Sequence, residues 1–300
     1  MLVAQELPAP FTFLGGSGMS EHSHWKGYLV VDNGDSLFIQ SSYVHDDKIV
    51  YGPDSDPTTM AIAGIQFMHS KGHHILSINL SDSVDALTVY LATGVDSMAH
   101  NEDLKFEEIE WDLLSGEEAT LVVAKSNAES YDFEAPQDVE IIDADFFNDI
   151  EEAWRLEQEV HHVSQGAYIS KSQYLEGARA RLSLASQNVD GSMIWPPRQL
   201  DADGLRIPPE SHTLLPEAQV ESWTKLSAAG APSEFSLRAP ILGGIQTLLV
   251  RFEQGPRGVF LVTDDIEYSP KIGDTVHFAV RRIYAQEGMI RYGLKAIPKR

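Results

Sequence analysis

The sequence predicts an α+β fold, and three observations carry that prediction. Up to about Phe147, apolar runs of strand character alternate with runs of helix character, an α/β layer pattern. From Phe146 to Ser183 the text turns helical and charged. From Glu221 onward, short apolar runs follow one another with Gly and Pro between them, as in a small closed five-stranded barrel of the OB type. The expected division is an α/β domain over 1–150, a helical linker over 151–185, a loop-built module over 186–216 and the barrel over 217–300.

In the front part, Tyr28–Val31, Ser36–Gln40, Ile75–Leu80, Ala119–Val123 and Val139–Ile142 are apolar and rich in β-branched residues, so they read as strands. Thr58–Met68 reads as a helix. Asp56 supplies an N-cap, Pro57 occupies the first helical position, and Gly72 lies beyond the end. Ser83–Leu91 predicts a second helix before Gly94. Phe146–Gln158 and Ser170–Ser183 predict two more, the latter built around Tyr174, Leu175, Ala178 and Leu182. Gly191–Pro216, rich in Pro, Gly and Asp, has no periodicity and reads as loops. In the tail, Trp223–Leu226, Ala239–Gly244, Thr247–Phe252, Val259–Val262 and Val276–Val280 are the five expected strands.

A composition of 43% hydrophobic and 22% charged residues is that of an ordinary globular protein, so disorder is not expected. No apolar run has the length of a membrane span, and Met1–Leu7 lacks the positive charge of a signal peptide, so a cytoplasmic location with no membrane partner is expected. The absence of cysteine excludes disulfides, a thiolate nucleophile and Cys-ligated zinc. The net charge of −23 opposes non-specific binding to nucleic acid. That charge is uneven: from Val220 on, Lys and Arg exceed Asp and Glu by about 3, leaving about −26 before it. A mildly basic tail on an acidic body suits an anionic ligand or acidic partner; an evenly solvated acidic surface is the bland alternative.

The second half of the chain resembles a known family. Gln173–Gly177, Leu182–Leu184, the run Gly191-Ser192-Met193-Ile194-Trp195-Pro196-Pro197-Arg198 and the strands after it are similar, in that order, to the acyl-CoA-associated OB-fold family, domain of unknown function thirty-five. The similarity spans about Tyr168 to Pro298. It implies an N-terminal helix, a rubredoxin-like zinc ribbon and a C-terminal OB barrel. Gln187, Asp190 and Asp201, with Asp203 or Gly204 depending on a one-residue gap, fall where the family's four cysteines belong, so the ribbon is expected to be degenerate and zinc is not expected. Further forward, Asp54–Ala63, Gly116–Val123 and Asp149–Arg155 are similar, in order, to motifs of 3-hydroxy-3-methylglutaryl-CoA synthases. The stretch between the first two is too short to hold that family's catalytic cysteine. This implies a shortened, degenerate thiolase-like domain kept for pairing with an active homologue.

The resemblance thus implies an accessory subunit without catalytic residues of its own. Its expected partner is a thiolase, a 3-hydroxy-3-methylglutaryl-CoA synthase-like enzyme or an acyltransferase, joined to it in a hetero-oligomer. Coenzyme A thioester is the expected ligand, with no tightly bound cofactor. CoA needs cations for its phosphates and an apolar channel for its arm. Trp195, Pro196, Pro197, Arg198, Arg238, Arg251 and Arg257 are the docking candidates, with Arg281, Arg282 and Arg291 as further cations.

Other constellations have plainer readings. His22 and His24 flank Ser23, His69 precedes His73-His74, and His161-His162 are adjacent; these spacings read as surface or turn histidines rather than a metal site. Gly15–Met19 lacks the strand and helix that flank a nucleophilic serine. Glu107-Glu108, Glu117-Glu118, Glu151-Glu152 and Asp264-Asp265 do acid/base work only where buried and coupled, and solvated faces explain them more simply. Two rival functions stand beside the accessory subunit: a single-strand nucleic-acid binder using Phe252, Phe260, Phe278 and Tyr284, and an acyl-CoA enzyme with an N-terminal site.

Overall fold

The computed structural model describes residues 22–126, 133, 135–159, 171–198, 200, 203–205, 211–286 and 288–299. Gly15–Met19, His161-His162 and Asp201 lie outside them. The chain opens as antiparallel hairpins. Strand β1 (Ser23–Trp25) turns through Lys26 and Gly27, both at positive φ, into β2 (Tyr28–Asp32), and β3 (Ser36–Ser41) follows. Two left-handed residues in a two-residue loop match the twist of the strands they join. A second such turn, Asp46-Asp47, links β4 (Tyr43–His45) to β5 (Lys48–Val50).

Helix α1 (Pro57–Ser70) begins as its sequence dictates. Asp56 caps it by accepting from the Thr59 N–H at 2.9 Å, and the Thr59 hydroxyl faces the Asp56 N–H in return. Helix α2 (Ala86–Thr93) is capped by Asp85 and stopped by Gly94 in the left-handed region. Between them Ile75–Leu80 runs extended but pairs only through single bridges, Ser77 to Asp96 and Asn79 to Asp112. Strands β6 (Trp111–Ser115) and β7 (Thr120–Lys125) complete a five-stranded sheet of order β1-β2-β3-β7-β6, antiparallel throughout. Helix α1 lies against one face of it. Gly64 allows that approach, since a Cβ there would meet the Val123 side chain at 3.3 Å.

Strand β8 (Glu140–Ile141) joins β4 in parallel, and the amphipathic helix α3 (Ala144–Gln158) follows. Helix α4 (Lys171–Leu182) leads into β9 (Ala185–Val189), β10 (Ser192–Ile194) and β11 (Ser211–Thr213), a small sheet of order β10-β9-β11.

The tail is a closed barrel. Strand β12 (Ala218–Leu226), helix α5 (Arg238–Ile241) and strands β13 (Ile245–Phe252), β14 (Arg257–Leu261), β15 (Thr275–Gln286) and β16 (Met289–Pro298) give the order β14-β13-β12-β15-β16. A parallel bridge from Val262 to Ala296 brings the two ends together. This is OB connectivity, in a chain of α+β class. Two expectations are corrected. Ala239–Gly244 forms helix α5 and a glycine turn, with Gly243 and Gly244 at φ 62 and 116, and the fifth strand is β16. The barrel interior is aromatic: Phe252, Phe260 and Phe278 are all buried, with the last two 4.5 Å apart between ring centres.

One small apolar cluster, Val31, Phe38, Val122, Ala124 and Phe133, belongs to the front half alone; the main core is shared with the barrel. Helix α1 is buried over ten residues because it is covered by the sheet on one side and by β15 on the other, and α4 lies along β16. The apolar core runs unbroken from Tyr28 and Ile39 through Met60 and Ile65 to Phe278 and Ala296. No described helix is long and apolar enough to cross a membrane.

Candidate functional site at the mouth of the barrel

The segment Pro53-Asp54-Ser55-Asp56, which starts helix α1, is buried against β15 and β16. Asp54 is fully buried. Its Oδ2 accepts from Lys295 Nζ at 2.8 Å and from the Asp264 N–H at 3.0 Å, and Arg281 Nε lies 3.3 Å from Oδ1. Lys295 also meets Asp264 at 2.9 Å. Arg238, 1% exposed, pairs with Glu157 at 2.8 Å and Asp264 at 3.4 Å and donates to the Ile283 carbonyl at 2.7 Å. Its guanidinium lies 3.8 Å from the centre of the Trp154 ring, and that of Arg282 lies 4.4 Å from it. Trp154 Nε1 donates to the Pro53 carbonyl at 2.7 Å. Arg281 donates to the carbonyls of Val280 and Lys26. Burial of so many charges is tolerable only because each cation has a carboxylate and most have backbone oxygens as well.

Four buried carboxylates (Asp54, Asp264, Asp265 and Glu157) therefore face the three cations Arg238, Arg281 and Lys295. Burial alone would raise all four pKa values, but Lys295 and Arg281 hold Asp54 below the ordinary carboxylate range. Asp264 and Asp265 are pushed up, first by burial and then by neighbouring carboxylates that their cations only partly offset. Glu157 is raised by burial despite Arg238. Lys26, which donates to Gln66, is lowered to about 8 by burial and by the nearby Arg281.

Asp264 and Asp265 also line a cleft of about 570 Å³. Tyr43 and Phe146 form its front-half wall, and Trp223, Lys225 and Tyr268 its barrel wall. The Tyr43 hydroxyl donates to the Asp265 carbonyl at 2.9 Å, while Asp265 Oδ1 is buried without a hydrogen-bond partner. The cleft thus joins half-exposed apolar surface, Trp223 above all, to a pair of carboxyls whose proton affinity burial raises above the ordinary carboxylate range. The expectation of a solvated face at Asp264-Asp265 is corrected: their side chains are only 11% and 4% exposed.

The other expected residues divide between three places. Arg238, Arg281, Arg282 and Arg291 lie inside the protein, at 0–7% exposure, so none presents its charge to a ligand on the surface. Arg251 and Arg257 remain on the open side, where both clamp Glu221, Arg257 at 2.7 Å. Trp195 stacks on Phe260 at 5.2 Å and donates to the Ser183 carbonyl, fastening the small sheet to the barrel. Pro196 and Arg198 are exposed and Pro197 is half-buried. Of the ribbon positions, Gln187 accepts from the Arg198 N–H at 2.7 Å, Asp190 forms a left-handed Asp-Gly turn with Gly191, and Asp203 is exposed. Phe252, Phe260 and Phe278 belong to the barrel core and Tyr284 packs on Phe235, so these rings form no stacking platform for bases. Sequence reasoning missed Lys295 and the role of Asp54. The one signal for Lys295 was charged residues placed within an apolar strand, Arg291-Tyr292-Gly293-Leu294-Lys295-Ala296.

The front half covers the β15–β16 side of the barrel. Among the described residues the β12–β13–β14 side is not covered in the same way, with Val259 67% exposed, Leu249 and Leu261 partly so, and Arg251 and Arg257 beside them.

No family model matches this chain. No curated protein matches it either. Among solved structures it is similar to a chain described as an Ltp2-ChsH2(DUF35) aldolase, at 15% identity and a TM-score of 0.30, over 44% of this chain and 98% of that one.

Proposed function

We propose that this chain is an accessory, non-catalytic subunit of an acyl-CoA-processing assembly. Its partner is a thiolase-fold enzyme, such as a thiolase, a 3-hydroxy-3-methylglutaryl-CoA synthase-like protein or an acyltransferase. The observation that carries the reading is the order helix α4, three-stranded module, closed OB barrel, with one barrel side covered by the chain itself and the other open. The open β12–β14 side offers apolar Leu249, Val259 and Leu261 next to two arginines, a combination suited to a protein edge and to an anionic thioester ligand. Without cysteine the chain has no sulfur nucleophile of its own, so acyl transfer through a thiolate falls to the partner. The three-stranded module is held by Trp195 and Gln187 instead of by cysteine-bound zinc.

Affinity purification of the tagged chain from its native cells, followed by native mass spectrometry, tests this. A thiolase-fold protein in fixed stoichiometry is expected, and acetyl-CoA is expected to bind the assembly more tightly than the isolated chain. Recovery of the chain free of any such enzyme would overturn the reading.

A second reading rests on the cleft. Asp264 and Asp265 stand side by side in it, both with proton affinities raised by burial and with an unpartnered oxygen on Asp265, as a carboxyl acid/base site requires. Turnover of an acyl-CoA by the isolated chain, abolished by Asp265→Asn, would favour it over the first.

A further inference from the structure

We propose that His22, His24 and Asp138 form a binding site for one divalent transition-metal ion of the zinc type. Among the described residues, these three are the group whose ligand atoms converge, all lying within 4.8 Å of one another. His24 Nε2 is 3.2 Å and His22 Nε2 3.8 Å from the same carboxylate oxygen, Asp138 Oδ2.

The fold explains why they converge. His22 and His24 are two apart at the sheet's edge strand β1, and residues two apart on a strand project to one face. His24 pairs with Leu29, and Leu29 pairs with Gln40, so the three stand in one row across the sheet. The segment carrying Asp138 crosses this same face. Phe133 packs on Phe38 at 5.6 Å between ring centres, the Pro136 carbonyl accepts from Gln40 Nε2 at 3.3 Å, and the Glu140 N–H bonds to the Ser42 carbonyl at 2.8 Å. Asp138 is therefore fixed from both sides before any ion arrives.

Two imidazoles and one carboxylate suit a borderline ion such as Zn²⁺ or Co²⁺, and three protein ligands leave further coordination positions to water. Asp138 and His24 are both about two-thirds exposed, so the ion has a direct path from solvent. Bound there, it ties the 135–139 segment to the edge strand. A carboxylate held between two histidines by hydrogen bonding alone is the competing account.

The test is titration of the full chain, first stripped with a chelator, with Zn²⁺ by calorimetry and with Co²⁺ by visible absorption. One ion per chain is expected, with the intense visible bands of low-coordinate Co²⁺ and a rise in melting temperature on loading. His22→Ala, His24→Ala and Asp138→Asn are each expected to weaken binding at least about tenfold. His73→Ala/His74→Ala should change nothing. All three ligands are at the surface, so the variants should fold, which far-ultraviolet circular dichroism checks. Absence of binding, or binding that survives in His22→Ala/His24→Ala, would overturn the proposal.

Discussion

Asp54 shows how one residue ties two halves of a chain. It opens helix α1, yet its carboxylate is held from the barrel: Oδ2 accepts from Lys295 and the Asp264 N–H, and Oδ1 faces the Arg281 guanidinium as an ion pair. Removing one member unbalances a buried network in which Lys295 keeps Asp264 and Asp54 keeps Arg281, so Lys295→Met or Asp54→Ala should cost about 3 kcal/mol in urea denaturation. A loss below about 1 kcal/mol would mean that the charges are solvated. The same cluster sets a pH dependence. Asp264, Asp265 and Glu157 have raised folded-state values, so between about pH 4 and those values the folded chain binds more protons than the unfolded one, and stability falls as pH rises. Asp54 works oppositely: its value is depressed, so its contribution is complete above about pH 4 and is lost as pH falls through the folded value. The melting temperature should therefore peak on the acid side of neutrality, and Asp264→Asn/Asp265→Asn should flatten the decline above the peak. A profile rising steadily to pH 8 would contradict this.

At the scale of elements, local signals in the text were strong where local chemistry decides the structure. Asp56-Pro57 and Gly72 bracket helix α1 because capping and chain reversal depend on neighbours in sequence. Asp85 and Gly94 do the same for α2, although its start falls three residues after Ser83. Strand β16 was hidden for the opposite reason. Charges within it argue against a buried strand, and only a front-half partner far away in sequence, Asp54, makes the burial of Lys295 possible. Ala239–Gly244 was misread because a short apolar run bounded by glycines fits a strand and a helical turn equally well. The convergence of His24 with Asp138 was also invisible, since it depends on a segment crossing three strands. At the junction of module and barrel, Gly258 is the sensitive point: a Cβ there would lie 2.6 Å from Trp195 and 2.5 Å from Phe260. Gly258→Ala should thus lower stability by about 1–3 kcal/mol, and Trp195→Ala by about 3 kcal/mol, both read from denaturation midpoints. Neutral effects would show that the module does not rest on the barrel through this ring.

For the molecule as a whole, the shared core and the buried ion cluster make front half and barrel one packed body, while the described residues leave the barrel's β12–β14 side uncovered. Thermal unfolding should accordingly be a single transition followed alike by Trp fluorescence and far-ultraviolet circular dichroism, whereas two separated transitions would mean independent halves. The docking claim makes a sharper demand. Val259→Asp with Leu261→Asp places charge on the open side and leaves the ion cluster untouched. The deciding measurement is capture of the thiolase-fold partner by the native chain and by this double variant, each first shown to melt at the same temperature. The account predicts stoichiometric capture by the native chain and at least about a tenfold loss in affinity for the variant; equal capture by both would contradict it.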